Sequence, residues 1–303
     1  MQYQATNFYK TMTASTHAGN HAVLIKRAAT ASVFTAVTLL LAKLFAWSVS
    51  DSASVLSSML DSLMDIAASL VNYFAVRYAL MPADDDHPFG HTKAEGLAAL
   101  VQSAFILGSA TFLLLHVVDR LIRPKELAAL EESIAVMLFS VVATIALVLY
   151  QRWVYRQTQS LAIKADSAHY YGDILTSVAV VVALLMAEWH VYWLDPVVAL
   201  GIAVVLLYSV YGIVKDALEV LMDKAMPEED ENELKDIIAA CEGVRGFHDL
   251  KTRQAGAIQF IQMHLDLDAK QSLQAAHAIG DRVEKSILSR FPRAEILIHH
   301  DPV

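Results

Sequence analysis

Of the 303 residues, 56% are hydrophobic and only 18% are charged, a balance that excludes an ordinary soluble domain and puts a membrane protein first. The net charge of -9 leaves no basic excess to neutralise phosphates, so nucleic acid is excluded as a partner and cations are favoured. Cys241 is the single cysteine, so a metal must be held by His, Asp or Glu rather than by thiolates of one chain.

In chain order, residues 1–22 are polar and lack the basic and apolar regions of a removable signal. They read as a flexible N-terminal extension in which His17 and His21 have no role. A bilayer core about 30 Å thick needs roughly 20 apolar helical residues. Six stretches qualify, at 28–49, 54–80, 95–121, 133–155, 161–188 and 192–220, giving an α-helical transmembrane domain over 23–222. The runs are too long and too unalternating for barrel strands. Lys26, Arg27, Arg77, Lys93, Arg152, Arg156, Lys164, Lys215 and Lys224 fall on one side, against Arg120, Arg123 and Lys125 on the other, which places both termini in the cytoplasm. Lys43 lies inside the first span, near enough to its outer end to snorkel.

Composition changes after the sixth span, and 223–303 reads as a small α+β domain. Pro227-Glu228-Glu229-Asp230 starts a helix that runs to about Cys241. Strands at 247–254 and 257–267 flank the turn pair Ala255-Gly256. A helix over 271–290 and a strand over 294–300 complete an αββαβ unit with its helices on one sheet face.

Three groups carry metal chemistry. In the second span Asp61 and Asp65 are four residues apart, hence on one helix face, and His169 and Asp173 repeat that spacing in the fifth. Ionisable groups in a span mark a site by default. Three carboxylates and an imidazole can surround zinc tetrahedrally, and the same donors admit cadmium, iron or manganese. The bland alternative is helix capping or a wet crevice. Asp84, His87 and His91 precede the third span, with Pro88 and Gly90 bending the loop; a solvated acidic turn is the competing reading. His248, His264, His277, His299, His300 and Asp301 form the third group, for which scattered surface histidines are the alternative. His116 and His190 read as structural, and Cys241 as a core residue of the C-terminal domain.

Asp61-x-x-x-Asp65, His-Pro-Phe-Gly-His-x-Lys-Ala-Glu at 87–95 and His169-x-x-x-Asp173 together resemble the cation diffusion facilitator family, closest to its bacterial zinc and ferrous-iron efflux transporters. The resemblance runs from about residue 22 to the end. It implies a homodimer in the bacterial inner membrane, six spans per chain, a cytoplasmic domain of ferredoxin-like or metallochaperone-like type, and export of divalent metal coupled to protons. It further implies a transport site of Asp61, Asp65, His169 and Asp173, and a loop site of Asp84, His87 and His91. In the cytoplasmic domain it implies a binuclear site of His248, His264, His277, His299 and Asp301, with Asp301 bridging, and a Lys93–Asp223 charge pair where the domains meet at the dimer interface. His300 departs from the relatives' pattern and is an additional ligand candidate. No catalytic residues are expected. The rivals are a metal sensor without transport and an intramembrane metalloenzyme, for which Glu95 or Glu188 would be the base.

Overall fold

A computed structural model describes residues 2–50, 53–122, 131–187, 194–256 and 258–303. Arg123, Lys125, Glu188 and His190 lie outside the described residues, and so do the side chains of His17, His116 and Arg120. The chain divides into two compact units, one over His21–Leu218 and one comprising Glu219–Val303 with the segment up to Asn20.

The first unit is built from α1 (Gln2–Ser50) after its first residues, α2 (Ala53–Ala79), α3 (Ala94–Ile122), α4 (Glu131–Thr158), α5 (Leu161–Ala187) and all but the end of α6 (Leu194–Leu221). α1 is helical from Gln2, through the segment expected as an N-terminal extension. The stretch has no proline, and its one glycine, Gly19, comes late. Among the described residues four stretches are long and apolar enough to cross a membrane: Asn20–Ser48, Ala94–Leu115, Leu138–Thr158 and Pro196–Leu221. α2 and α5, the two helices that carry the Asp and His pairs, have side chains outside the described residues and are not among the four.

Small side chains bring these helices close. Ala28 and Ala29 of α1, Val76 of α2, Ala98 of α3, Val154 of α4 and Ala162 of α5 share one buried cluster. At Gly172 a Cβ would come within 2.8 Å of Leu206 Cδ2, so the missing side chain lets α6 approach α5 beside Asp173. The usual arrangement of a soluble protein is inverted: Phe34, Phe45, Phe112 and Tyr208 are exposed, whereas Ser32, Ser69, Asn72, Gln102, Gln151, Asp166 and His169 are buried. A helical unit with apolar outer faces and a polar interior suits lipid as its solvent.

The second unit contains α7 (Glu228–Ala239), β1 (Gly246–Ala255), β2 (Ile258–Leu267), α8 (Leu273–Arg290) and β3 (Ala294–Pro302), in the expected αββαβ order. Pro227 stands at the N-terminal boundary of α7, whose first turn holds four acids that suit the positive end of a helix. Ser272 caps α8 by accepting the Ala275 N–H at 3.2 Å. β2 is central, antiparallel to β1 and parallel to β3, with α8 as the crossover that a parallel pair requires. Period-2 alternation splits β2: Ile261, Met263, Leu265 and Leu267 pack under Leu234 and Ile238 of α7 and Ile279, Val283 and Ile287 of α8, while His264 and Asp266 take the opposite face.

Candidate metal centres

In the helical unit, Asp65 of α2 meets His169 and Asp173 of α5, one ligand atom from each lying within 4.8 Å of the others. His169 Nε2 is 3.3 Å from Asp65 Oδ1. Apart from that contact this buried nitrogen has no hydrogen-bond partner, the condition expected of a lone pair reserved for an ion. Asp61 sits one helical turn before Asp65, exposed and outside this close group. Lys43, expected to snorkel, instead turns its ammonium onto the buried Ser62 Oγ at 2.7 Å, between the two aspartates on α2. The polar interior supplies an acceptor that lipid does not.

A second polar centre holds α5 in place. Asp166, fully buried one turn before His169, accepts from Ser32 Oγ of α1 at 2.5 Å, Gln151 Nε2 of α4 at 2.6 Å and Gln102 Nε2 of α3 at 3.3 Å. Tyr170 O–H donates to the Ser32 carbonyl at 3.3 Å and lies 2.6 Å from Ser69 Oγ of α2. Glu95 of α3, buried, accepts from Ser160 Oγ at 2.8 Å and Leu161 N–H at 2.9 Å, capping α5 with a carboxylate. Sequence reasoning passed over Asp166 and Ser62. The signal for Asp166 was an ionisable residue in a span one turn from a proposed ligand.

In the loop between α2 and α3, Asp84 folds the chain by accepting the N–H groups of Asp86 at 3.1 Å and His87 at 2.7 Å. Gly90 takes φ +77 and returns its N–H to the His87 carbonyl at 2.9 Å. His91 Nδ1 lies 3.2 Å from the Pro82 carbonyl, which can only accept; the tautomer that donates there leaves Nε2 with a lone pair for an ion. That Nε2 is 3.4 Å from Asp84 Oδ2, and His87 Nδ1 is 3.4 Å from Asp84 Oδ1. The His87 N–H, then the neighbouring imidazoles, hold the Asp84 carboxyl below its ordinary pKa.

On the open sheet face, register aligns His248 with His264 and His264 with His299, so three imidazoles cross three strands side by side. Asp301, two residues beyond His299, turns to the same face. Its Oδ2 lies 2.7 Å from His264 Nδ1 and 3.4 Å from His248 Nε2, and its Oδ1 lies 3.3 Å from His299 Nε2. The His264 hydrogen bond, with the imidazoles around it, depresses the Asp301 pKa. His248 Nδ1 has Asp266 Oδ1 at 3.0 Å, a carboxylate placed to orient the ring. Two carboxylate oxygens facing different imidazoles suit a donor set shared by two zinc ions.

His277 and His300 are placed elsewhere. His277 is on α8, 3.7 Å from Asp281, and His300 pairs with Leu265 on the helix-covered face. Their rings are 6.5 Å apart, and only a glycine at 280 makes room for His300, since a Cβ there would come within 2.4 Å of Nε2. Asp223, at φ +57, pairs with Arg253 Nη1 at 3.0 Å within its own unit.

Two family models match: the cation efflux transmembrane domain over residues 29–222 and the cation efflux protein cytoplasmic domain over 226–303. The chain is 47% identical over 279 residues to cation-efflux pump FieF of Klebsiella pneumoniae and to that of Cronobacter sakazakii, in each case covering 92% of this chain and 93% of the relative. Cation-efflux pump FieF of Salmonella newport is 46% identical over the same coverage. Among solved structures, CzrB in its zinc form is 28% identical over 26% of this chain and 92% of its own, with a TM-score of 0.25. The nickel form of a variant MamM CTD is 22% identical over 25% and 99%, also with a TM-score of 0.25.

Proposed function

The chain belongs to the cation diffusion facilitator family of cation efflux transporters, and from that premise we propose that it exports zinc from the cytoplasm in exchange for protons. The observation that carries this reading is the convergence of Asp65, His169 and Asp173 inside a helical unit of apolar outer surface. Asp61 completes the ligand set by a side-chain rotation from the preceding turn of α2. α2 and α5 then serve as the second and fifth of six spans, their polar faces turned to each other and away from lipid. The distribution of Lys and Arg supports cytoplasmic termini, and the bacterial relatives support the inner membrane.

Emptying the site leaves carboxylates crowded around an imidazole, an arrangement that takes up protons as the ion departs. Metal and protons thus compete for the same lone pairs, which is what an exchanger needs. Alternating access moves the site between two openings. The cytoplasmic unit binds zinc through His248, His264, His299 and Asp301 and joins two protomers. Asp84, His87 and His91 form a cytoplasmic loop site that tunes access.

Oxygen and nitrogen donors also accept cadmium, ferrous iron and manganese, so selectivity is relative. The test is purified protein in sealed vesicles loaded with a metal-sensitive dye and challenged with each of the four ions, with and without a pH gradient. Zinc flux that grows with the gradient supports the reading. Metal binding without flux of any ion would leave a sensor instead.

A further inference from the structure

The interior of the helical unit holds a cation that the proposed metal site does not use. Lys43 points inward from α1, its Nζ 2.7 Å from Ser62 Oγ. Ser62 is fully buried, follows Asp61 directly and precedes Asp65 by one turn. Asp61 and Asp65 stand on either side of Ser62 along α2, and Asp65 converges with Asp173, so three of the four ligands proposed for the ion surround the hydroxyl that Lys43 contacts. A lysine with a long flexible stem near a helix end has an easy route to the interface. Its inward position is therefore a choice of partner, made by the carboxylates and by the Ser62 hydroxyl.

Charge counting gives the position a meaning. With all three carboxylates ionised, as a bound ion requires, Asp61, Asp65 and Asp173 contribute minus three, and the Lys43 ammonium brings the set to minus two. One divalent ion then neutralises it with His169 neutral. In low dielectric an unbalanced unit charge costs several kcal/mol, so this matching separates a well-fitted ion from an ill-fitted one. When the ion has left, the ammonium remains as an internal counter-charge for the carboxylates.

We propose that Lys43 is a tethered counter-ion of the transport site, held by Ser62, which matches the site to one divalent charge and assists release by opposing the bound ion. This inference rests on the transport reading above. It separates from a merely structural role by its sign. Loss of a packing residue weakens binding, whereas loss of a like-charged neighbour tightens it and slows departure.

The experiment is zinc transport at pH 8 by the full chain in sealed vesicles, comparing parent, Lys43→Met, Lys43→Arg, Ser62→Ala and Asp65→Ala. Lys43→Met is expected to lower KM by at least about tenfold, because a unit positive charge close to a divalent ion is removed from a poorly screened site, and to lower kcat as well. Lys43→Arg should restore both values toward the parent, and Ser62→Ala should shift KM in the same direction by less. Unchanged or raised KM in Lys43→Met would overturn the proposal. If that variant does not fold as a dimer, an unchanged KM in Ser62→Ala overturns it instead. Asp65→Ala separates the two levels: transport lost there but unaltered in Lys43→Met removes only this inference, whereas parent-like transport by Asp65→Ala removes the transport reading itself.

Discussion

His169 Nε2 faces Asp65 Oδ1 across the α2–α5 contact at 3.3 Å, a buried imidazole set against a half-buried carboxylate. The imidazole is the one nitrogen among the four proposed ligands. Replacing it by carboxylate in His169→Asp makes an all-oxygen site, which favours larger ions that accept more oxygen donors. Cadmium should then compete several times better against zinc, read from dye-loaded vesicles exposed to both ions. An unchanged cadmium-to-zinc ratio would place His169 outside the ligand set.

Asp166 is expected to matter for stability more than for ion chemistry. Its carboxylate accepts from Ser32, Gln151 and Gln102; Asp166→Ala removes that shared acceptor, leaving Ser32 the Ala28 carbonyl, Gln151 the Ser32 hydroxyl and Gln102 Nε2 unsatisfied, at about 1–3 kcal/mol. Asp166→Asn keeps one acceptor oxygen and should recover much of the loss. Thermal unfolding of the purified protein in detergent reads the difference. Equal midpoints for parent and Asp166→Ala would mean that the network carries no stability.

For the loop, a His87→Ala, His91→Ala double variant should change the zinc concentration for half-maximal flux by a few-fold and leave maximal flux largely intact. A cytoplasm-facing loop does not have to empty through the membrane in each cycle. Complete loss of transport, as severe as removal of Asp65, would contradict this ranking.

In the cytoplasmic unit, zinc should raise the midpoint of thermal unfolding, by the equivalent of about 2.7 kcal/mol at 100 times Kd. His264→Ala and Asp301→Ala should lose most of that gain, and chelation should bring the parent down to the variants. The acid limb has a definite sign in the metal-free protein. Asp301 has its pKa lowered by the His264 hydrogen bond and the surrounding imidazoles. Its contribution to stability is therefore complete above the unfolded carboxylate value of about 3.9 and is lost as pH falls through the lower folded value. Asp301→Asn should flatten that part of the curve in a chelator-treated titration followed by circular dichroism. A parent and variant with parallel acid limbs would dissociate Asp301 from the effect.

Much of this was legible in the sequence because it rests on periodicity. The four-residue spacing in Asp61–Asp65 and His169–Asp173 fixes a shared helix face, and alternation around Ile261, Met263 and Leu265 fixes which face of β2 meets the helices. What depends on register between distant segments was not legible. His299 and His300 are adjacent in sequence, yet one joins His264 on the open face and the other lies over Gly280, a division set by the parallel pairing of β3 with β2. Lys43 was misread because chain position gives its distance from a span end but not the Ser62 acceptor opposite. Asp166 was missed because its partners come from three other helices, and no local pattern announces them.

The most direct test of the central claim is zinc flux into dye-loaded vesicles under an imposed pH gradient, by the parent and by Asp65→Ala, His169→Ala and Asp173→Ala variants shown to be folded dimers. Removing one ligand leaves the remaining charges poorly matched to the ion, so each variant should lose nearly all gradient-driven flux while still binding zinc in its cytoplasmic unit. Flux at the parent rate in any of the three would contradict the assignment of the α2–α5 site as the path of the metal.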